Sequence, residues 1–439
     1  MPVSNSSEWK MRRLKTVAAV MPSSVDKLSD PDDPPVRLCN YVDVYKNDLI
    51  TGDMDFMSAT ATKAQIERFS LCAGDVLITK DSETPADIAV PAHVEESAAG
   101  VVCGYHLALL RPNFRQTHGK FLFWALRSAP VSASFTVRAQ GITRFGLTVN
   151  AMGDVLIPLP SVSTQRAIAI FLDRETAKID ALIAKQNEFL TQLDEHRRAL
   201  VTEALTQGLD PSVPMRETGV ATFPRLPANW RFGRAKHSVS FITSGPRGWS
   251  DLMSDSGDIF FQSQNIGYSM EPLFEAPKRI TAPMGSDADR ARLHMDDVTV
   301  CITGARTSSV AHISTLPESA YINQHVCLLR PKPSIINGRF LAYCLWSSPC
   351  QNQFSVASYG LKQGLGLQDV GDIEIPIPDI LIQSRIVEFL DRRWRQIDQI
   401  KQKCIFVSEI LRERRSALIT AAVTGQIDVT DAALRKAAA

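Results

Sequence analysis

Two long stretches of the chain distribute apolar and polar residues with the period of an α-helix. The first runs from Pro160 to Gly208 and the second from Pro378 to Gly425, with no internal glycine or proline. In the first, apolar residues recur every three or four positions, at Ile168, Phe171, Leu172, Ile179, Leu182, Ile183, Phe189, Leu193, Leu200 and Ala204. This spacing predicts two helices of roughly 40 residues, each about 60 Å long with one apolar stripe.

A helix of this length has more apolar surface than a small domain can bury. The pattern therefore favours antiparallel pairing of the two helices, although packing of each helix on its own domain remains open. Residues 1–153 and 214–371 instead show short β-rich runs separated by turn-forming residues. The predicted fold class is α/β (α+β), with two similar mixed domains separated by two long antiparallel helices that form a coiled-coil spacer.

The chain is also an internal repeat. Residues 153–210 and 371–428 align without a gap at a shift of 218 positions, and about two in five residues are identical. The mixed segments are distant copies as well, since Tyr105–Pro112 parallels Gln324–Pro331 and Trp9 parallels Trp230. The predicted segments are therefore 1–153, 154–213, 214–371 and 372–439. Two copies of one unit suit an approximate twofold axis, and double-stranded DNA is the commonest partner with that symmetry.

Charge is distributed unevenly although the formal net charge is only +1. Residues 98–153 and 319–368 contain no aspartate or glutamate but several arginines and lysines, and both windows end just before a long helix. We interpret them as surfaces that face a polyanion. The eight cysteines have no paired spacing, which suggests reduced thiols and a cytoplasmic location, and no apolar run is long enough to span a membrane.

Catalytic motifs are not recognisable in the sequence. Asp33-Pro34-Pro35-Val36 resembles the tetrapeptide of amino-group DNA methyltransferases, but Val36 cannot stack on a base, and no glycine-rich cofactor loop follows a strand. No phosphate-binding G-x4-G-K-[S/T] motif is present. His106 and His325 occupy equivalent repeat positions on apolar runs, and we interpret them as structural histidines.

The duplicated arrangement of variable segment and long helix resembles the specificity subunits of type I restriction–modification systems. The resemblance is carried by Ile157-Pro158-Leu159-Pro160, Gln165, Ile168, Phe171-Leu172-Asp173, Ile179-Asp180, Arg197 and Ala199-Leu200, and by their partners Ile375-Pro376-Ile377-Pro378, Gln383, Ile386, Phe389-Leu390-Asp391, Ile397-Asp398, Arg415 and Ala417-Leu418. It covers nearly the whole chain, and the duplicated layout is more specific than any single motif.

The resemblance implies a non-catalytic subunit that binds double-stranded DNA. Each variable domain would be a target recognition domain for one half of a bipartite site, and the helices would set the gap between half-sites. Two modification subunits that carry S-adenosylmethionine would methylate adenine, and a restriction (translocase) subunit would join them, so that no cofactor binds this chain. A related specificity subunit of non-type-I architecture, a self-contained DNA methyltransferase and a coiled-coil scaffold without a DNA role are the alternatives.

Candidate DNA-binding residues follow from position and residue type. Arginine and lysine suit guanine edges or phosphates, and glutamine suits adenine. The candidates lie in the basic windows or in glycine-containing loops after strands, and they are Lys80, Arg138, Gln140, Thr143, Arg144, Thr303, Arg306, Tyr359, Lys362 and Gln363. The helix arginines Arg197, Arg198, Arg412, Arg414 and Arg415 are expected to be solvated or to contact a partner.

Overall fold

The computed structural model describes residues 9–28, 30–358 and 364–429. The chain divides into two compact units, and both long helices contribute to both units. Unit 1 comprises Met1–Asn187 with Ile405–Ala439, and unit 2 comprises Glu188–Cys404. Among the helices of the described ranges, none combines the length and hydropathy that a bilayer-spanning segment requires.

Unit 1 is a mixed domain with two main sheets. Its strands are β1 (Lys10–Arg13), β2 (Ala18–Pro22), β3 (Pro35–Cys39), β4 (Leu49–Ile50), β5 (Met57–Thr60), β6 (Val76–Thr79), β7 (Asp81–Ser82), β8 (Pro91–Val94), β9 (Val101–Cys103), β10 (Leu107–Pro112), β11 (Phe145–Gly146) and β12 (Leu156–Leu159). Its helices are α1 (Leu14–Val17), α2 (Tyr41–Lys46), α3 (Lys63–Phe69), α4 (Gly119–Arg127), α5 (Ala129–Arg138), α6 (Val149–Gly153) and the first part of α7 (Val162–Gln207). The sheets have the strand orders β2-β10-β6-β8-β4 and β5-β3-β9.

Unit 2 has a similar plan. Its strands are β13 (Met215–Glu217), β14 (Arg225–Pro227), β15 (Arg231–Arg234), β16 (Val239–Ser244), β17 (Met253–Ser254), β18 (Asp258–Phe261), β19 (Arg279–Ile280), β20 (Val298–Cys301), β21 (Val310–His312), β22 (Ala320–Ile322), β23 (Val326–Pro331) and β24 (Glu374–Ile377). Its helices are α8 (Ser286–Ala291), α9 (Gly338–Trp346), α10 (Ser348–Ala357), α11 (Leu367–Gly371) and the first part of α12 (Ile380–Val423). Its main sheets have the orders β16-β23-β20-β21 and β17-β19-β18-β22.

The central strands are buried on both faces, which explains their unbroken apolar runs. In β10, Ala108 and Leu110 join the core beneath α4, whereas Leu107 and Leu109 join a second core against β3. The period of two along a strand sends alternate side chains to opposite faces. The predicted fold class is thus confirmed as mixed α and β elements combined with two long helices.

The long helices are longer than the pattern predicted, with 46 residues in α7 and 44 in α12. The amide of Thr164 donates to the hydroxyl of Ser161 (3.2 Å), which caps the start of α7. Gly208 follows α7 at a φ of +74°, a left-handed conformation that favours glycine. The segment 154–213 also contains more than helix, because β12 pairs in antiparallel fashion with β1.

Charged pairs join α7 to α12 in unit 2. Arg197 contacts Asp398, and the ammonium of Lys401 donates to Asp194 over 2.6 Å. Because the position on α12 falls as the position on α7 rises, the two helices run antiparallel in this unit.

The same pair occurs in unit 1 with the roles of the helices exchanged. Arg415 of α12 donates to Asp180 of α7 over 2.9 Å. Arg415 is the repeat equivalent of Arg197, and Asp180 is that of Asp398. In both units the arginine of one repeat copy thus pairs with the aspartate of the other copy. The contact between the helices is therefore reciprocal, as in an isologous interface.

The expectation that the helix arginines are solvated or bind a partner is wrong for Arg197 and Arg415. Only 2% of the Arg197 side chain and 16% of the Arg415 side chain is exposed. Their guanidinium carbons lie 4.2 Å from the ring centre of Trp394 and 5.8 Å from that of Trp124, respectively. Planar guanidinium groups pack well on aromatic faces while they keep a carboxylate partner, so these arginines can be interior.

A buried glutamine fixes the start of α7 to the mixed domain of unit 1. The Gln165 side chain is inaccessible to solvent, and its Oε1 accepts from the amide of His118 (2.8 Å). Its Nε2 donates to the carbonyls of Gln116 and Pro160, each over 2.9 Å. One side chain therefore satisfies three main-chain groups that would otherwise be buried without partners.

Gln383 makes the equivalent contacts at the start of α12. Its Oε1 accepts from the amide of Asn337 (2.9 Å), and its Nε2 donates to the carbonyls of Ile335 (2.9 Å) and Pro378 (2.7 Å). The repetition of all three bonds shows that the junction between the long helix and the mixed domain is part of the duplicated framework.

We expect Gln165→Leu to destabilise unit 1 by about 3 kcal/mol, because buried main-chain groups left without partners cost roughly 1–3 kcal/mol each. Hydrogen exchange should show faster exchange of the His118 amide. Gln383→Leu is the matched variant and should instead release the Asn337 amide of unit 2. Unchanged protection of both amides in their respective variants would contradict the anchoring role.

Candidate nucleic-acid interface

The strand-end turn after β6 supports the loop that carries most candidates of unit 1. The amide of Leu147 donates to the carbonyl of Lys80 (2.9 Å), and Gln140 and Gly146 exchange two main-chain bonds of 3.0 and 2.8 Å. These bonds close a tight loop at 141–144. At Gly141, where φ is +143°, a Cβ would lie 1.9 Å from the carbonyl oxygen of Arg144, so the turn requires glycine.

The loop presents Gln140, Thr143 and Arg144 to solvent. The Arg144 Nη2 lies 3.1 Å from Nδ1 of His106. Sequence reasoning placed these residues in one interface, and the structure brings them together on one exposed loop. Arg138 lies at the end of α5 and donates to the carbonyl of Ser134 in its own helix (2.8 Å), so its guanidinium is partly engaged.

Lys80 lies beneath this loop with only 13% of its side chain exposed. Its ammonium is 3.4 Å from a carboxylate oxygen of Asp81 and 4.3 Å from the ring centre of Tyr105. These contacts hold the Lys80 ammonium at the base of the loop. There it makes the local electrostatic potential more positive, but it is poorly placed to contact a ligand directly.

In unit 2 the equivalent turn carries Thr303. Its hydroxyl lies 2.5 Å from Nδ1 of His325, and the amide of Leu365 donates to the carbonyl of Ile302 over 2.8 Å, as Leu147 does to Lys80 in unit 1. The other candidates from the second basic window, Tyr359, Lys362 and Gln363, lie outside the described residues.

Arg306 is engaged within the protein. Its Nη1 donates to the carbonyl of Ile266 (2.7 Å), and its guanidinium lies 4.7 Å from the ring centre of Tyr268. Tyr268 itself is 78% exposed. The structure therefore places an aromatic face at this surface, with Arg306 supporting it.

The basic windows are not charged surfaces throughout, so their interpretation as surfaces facing a polyanion is wrong for much of their length. Arg111 donates two bonds to Asp75 (2.9 and 2.8 Å), and its equivalent Arg330 donates two to Asp297 (both 2.8 Å). Other cations of the windows pair with Asp48, Asp173 and Asp391. In the described part of the first window, Arg115, Arg138 and Arg144 make no salt bridge with a carboxylate.

Other sites considered from the sequence are structural. Val36 is 7% exposed in β3 and packs in a core, so its tetrapeptide does not present a stacking side chain. Burial raises the pKa of the Cys350 thiol to about 12 and that of Cys344 well above its usual value, so both are neutral thiols at pH 7. Within the described ranges, no cluster of three or more metal-binding side chains occurs.

Three exposed groups next to the candidates were not selected from the sequence: Tyr105, His106 and Tyr268. Tyr105 is 49% exposed and stands over Lys80. The parallel between Tyr105-His106 and Gln324-His325 was visible in the repeat and could have indicated them, but their apolar neighbours suggested a buried position. For Tyr268, no signal in the sequence distinguished it from a core aromatic residue.

Comparison with known proteins identifies relatives of the chain. Residues 286–405 match the family described as the type I restriction modification DNA specificity domain. The chain is 30% identical over 114 residues to the type I restriction enzyme EcoBI specificity subunit of Escherichia coli, covering 26% of this chain and 24% of that protein. It is 26% identical over 214 residues to the StySPI specificity subunit of Salmonella potsdam, covering 46% and 44%. The chain thus spans less than half the length of these two curated relatives.

The fold has a solved counterpart over almost the whole chain. A chain from a structural study of complex assembly and conformational transition of the type I R-M system superposes with a TM-score of 0.70 at 18% identity. The match covers 97% of this chain and 100% of that one. At this identity the likeness establishes the fold alone.

We expect Arg144→Ala to weaken DNA binding by about 1–3 kcal/mol if the side chain meets a base edge, and to leave the melting temperature unchanged. Binding to duplex DNA at two salt concentrations checks this. Arg225→Ala, at a side chain that is 61% exposed in β14, removes the same charge elsewhere and is the control. Equal effects of the two substitutions would show that only net charge matters.

Proposed function

We propose that this chain, which is related to the specificity subunits of type I restriction–modification systems, is a DNA-recognition subunit. It reads a bipartite sequence and directs adenine-N6 methylation, and restriction, by partner subunits. The observation that carries this proposal is the duplicated framework, in which the same glutamine anchor, strand-end turn and helix contact occur in both units while the side chains on the turns differ. Such an arrangement suits two related readers that recognise different half-sites.

Residues 1–153 and 214–371 would each recognise one half-site. In unit 1 the exposed loop offers guanidinium, amide and hydroxyl groups, which are the usual partners of base edges and phosphates. In unit 2 the equivalent turn offers Thr303 and His325, and Arg306 of the same loop contacts the exposed ring of Tyr268. The difference in side-chain chemistry supports recognition of an asymmetric sequence.

The long helices are the proposed docking surface for two copies of one modification subunit. Exposed apolar residues recur at equivalent positions of the repeat, as Leu182 (50% exposed) and Ile400 (41%), and as Phe189 (42%) and Val407 (40%). Exposed apolar side chains that recur with the symmetry of the repeat favour two identical partners over one.

The remaining parts of the proposal concern chemistry that this chain would not perform. S-adenosylmethionine and the catalytic groups would reside on the modification subunits, and a restriction (translocase) subunit would join the complex. This chain would be non-catalytic and would act in the cytoplasm, where it meets chromosomal DNA.

The direct test is methyl transfer. The purified chain with labelled S-adenosylmethionine should transfer no methyl group to DNA, whereas the chain with its modification subunits should methylate adenine at one bipartite sequence. The modification subunits without this chain are the control and should lack that specificity. Methylation by the chain alone would contradict the proposal.

A second test exchanges one recognition domain. Replacing residues 1–153 with the equivalent segment of another specificity subunit should change one half of the methylated sequence, because each domain reads its own half-site. Exchange of residues 214–371 should change the other half. Genome-wide mapping of modified bases measures both, and a change in both halves after one exchange would refute the assignment of one domain to one half-site.

A further inference from the structure

The equivalent histidines His106 and His325 occupy the same backbone setting. The carbonyl of His106 accepts from the amide of Lys80 (3.0 Å), and that of His325 accepts from the amide of Ile302 (2.9 Å). The residue that follows on each turn faces Nδ1 of the ring, at 2.9 Å for Asp81 and 2.5 Å for Thr303. The framework therefore presents an imidazole at one fixed point in each unit but gives it a different partner.

In unit 1 the partner determines the tautomer of the ring. An ionised carboxylate only accepts hydrogen bonds, so Nδ1 of His106 must carry the proton that it donates to Asp81. The neutral ring then has an unprotonated Nε2 that can accept a hydrogen bond. A protonated Nδ1 cannot also accept from Arg144, so the neighbouring guanidinium is not bound by the ring and keeps its donors.

In unit 2 the equivalent edge is occupied. The side-chain amide of Gln324 lies 3.1 Å from Nε2 of His325. The residue before His106 is Tyr105 instead, and among the described residues none makes a hydrogen bond with Nε2 of His106. With 33% of its side chain exposed, His106 thus has a free acceptor atom at the surface of unit 1.

The surroundings of this acceptor combine charged groups of both signs with polar edges. His106 lines a surface cavity of about 390 Å³ together with Tyr105, Asn40 and the carboxylate-bearing Asp26. Lys80 and Arg144 add positive charge beside it. Cations attract phosphates without regard to sequence, whereas an acceptor on a fixed ring distinguishes donors from acceptors.

Resting on the function proposed above, we propose that His106 reads a base in the half-site recognised by unit 1, with Asp81 as its positioning residue. Its Nε2 accepts a hydrogen bond from the exocyclic amino group of adenine (N6) or cytosine (N4) in the major groove. Guanine and thymine present carbonyl acceptors to the same atom and are disfavoured.

The test measures binding of the complex with its modification subunits to duplexes in which each position of the unit 1 half-site carries each base in turn. His106→Phe keeps a ring but removes the acceptor, and should lower discrimination at one position by about tenfold. Asp81→Asn removes the carboxylate that keeps the proton on Nδ1 of His106. It should therefore shift the base preference at that position towards guanine or thymine. His325→Phe is the matched control and should leave this half-site unchanged.

Two results would overturn the inference. If His106→Phe weakened binding equally on all sequences and made its salt dependence shallower, the ring would contact a phosphate and not a base. Unchanged discrimination with a lowered melting temperature would make the ring structural. Failure of the wild-type complex to recognise any bipartite sequence would instead refute the proposed function, and it would be evident before any variant is compared.

Discussion

In each unit the junction between the mixed domain and the long helix depends on one buried amide side chain. Gln165 and Gln383 each join a loop of the mixed domain, the residue at the end of the preceding strand and the first turn of the helix. An amide suits this position because it donates and accepts at once, whereas a carboxylate would face two carbonyl oxygens. In each unit these three bonds help to orient the mixed domain on the start of its own helix.

Around that shared junction the two units have diverged in chemistry. Beside Arg415 in unit 1, Asp48 binds both Arg127 and Arg415, which adds ionic contacts to the apolar packing of the helices on the domain. In unit 2 the position equivalent to Arg127 is Trp346, which packs 5.0 Å from Trp394 and beneath Arg198. Because main-chain hydrogen bonds fix the framework, it tolerates the exchange of an arginine for a tryptophan at this position. In each unit the charged side chains still find partners. The same tolerance is consistent with the different side chains of the strand-end turns, Asp81 in unit 1 and Thr303 in unit 2.

Much of this architecture is predictable from the sequence. The helices follow from a run of more than 40 residues without glycine or proline, and the duplication follows from direct alignment. The loop with Gln140, Thr143 and Arg144 was found because it is basic and precedes a helix. The burial of Arg197 and the pairing of Arg111 with Asp75 were not predictable. Their partners lie far away in the chain, and the residue pattern around each arginine does not indicate them.

The sequence by itself determined the repeat, the element types and the residues that an interface could use, because these depend on local periodicity and on residue type. Only the tertiary structure decided which cations are neutralised within the protein and which remain exposed. It also decided the surroundings of His106, since Asp81 and Arg144 approach that ring only when a strand end and a distant loop converge. The tautomer of a histidine and the neutralisation of a cation depend on contacts between residues that are distant in the sequence, so a linear reading does not show them.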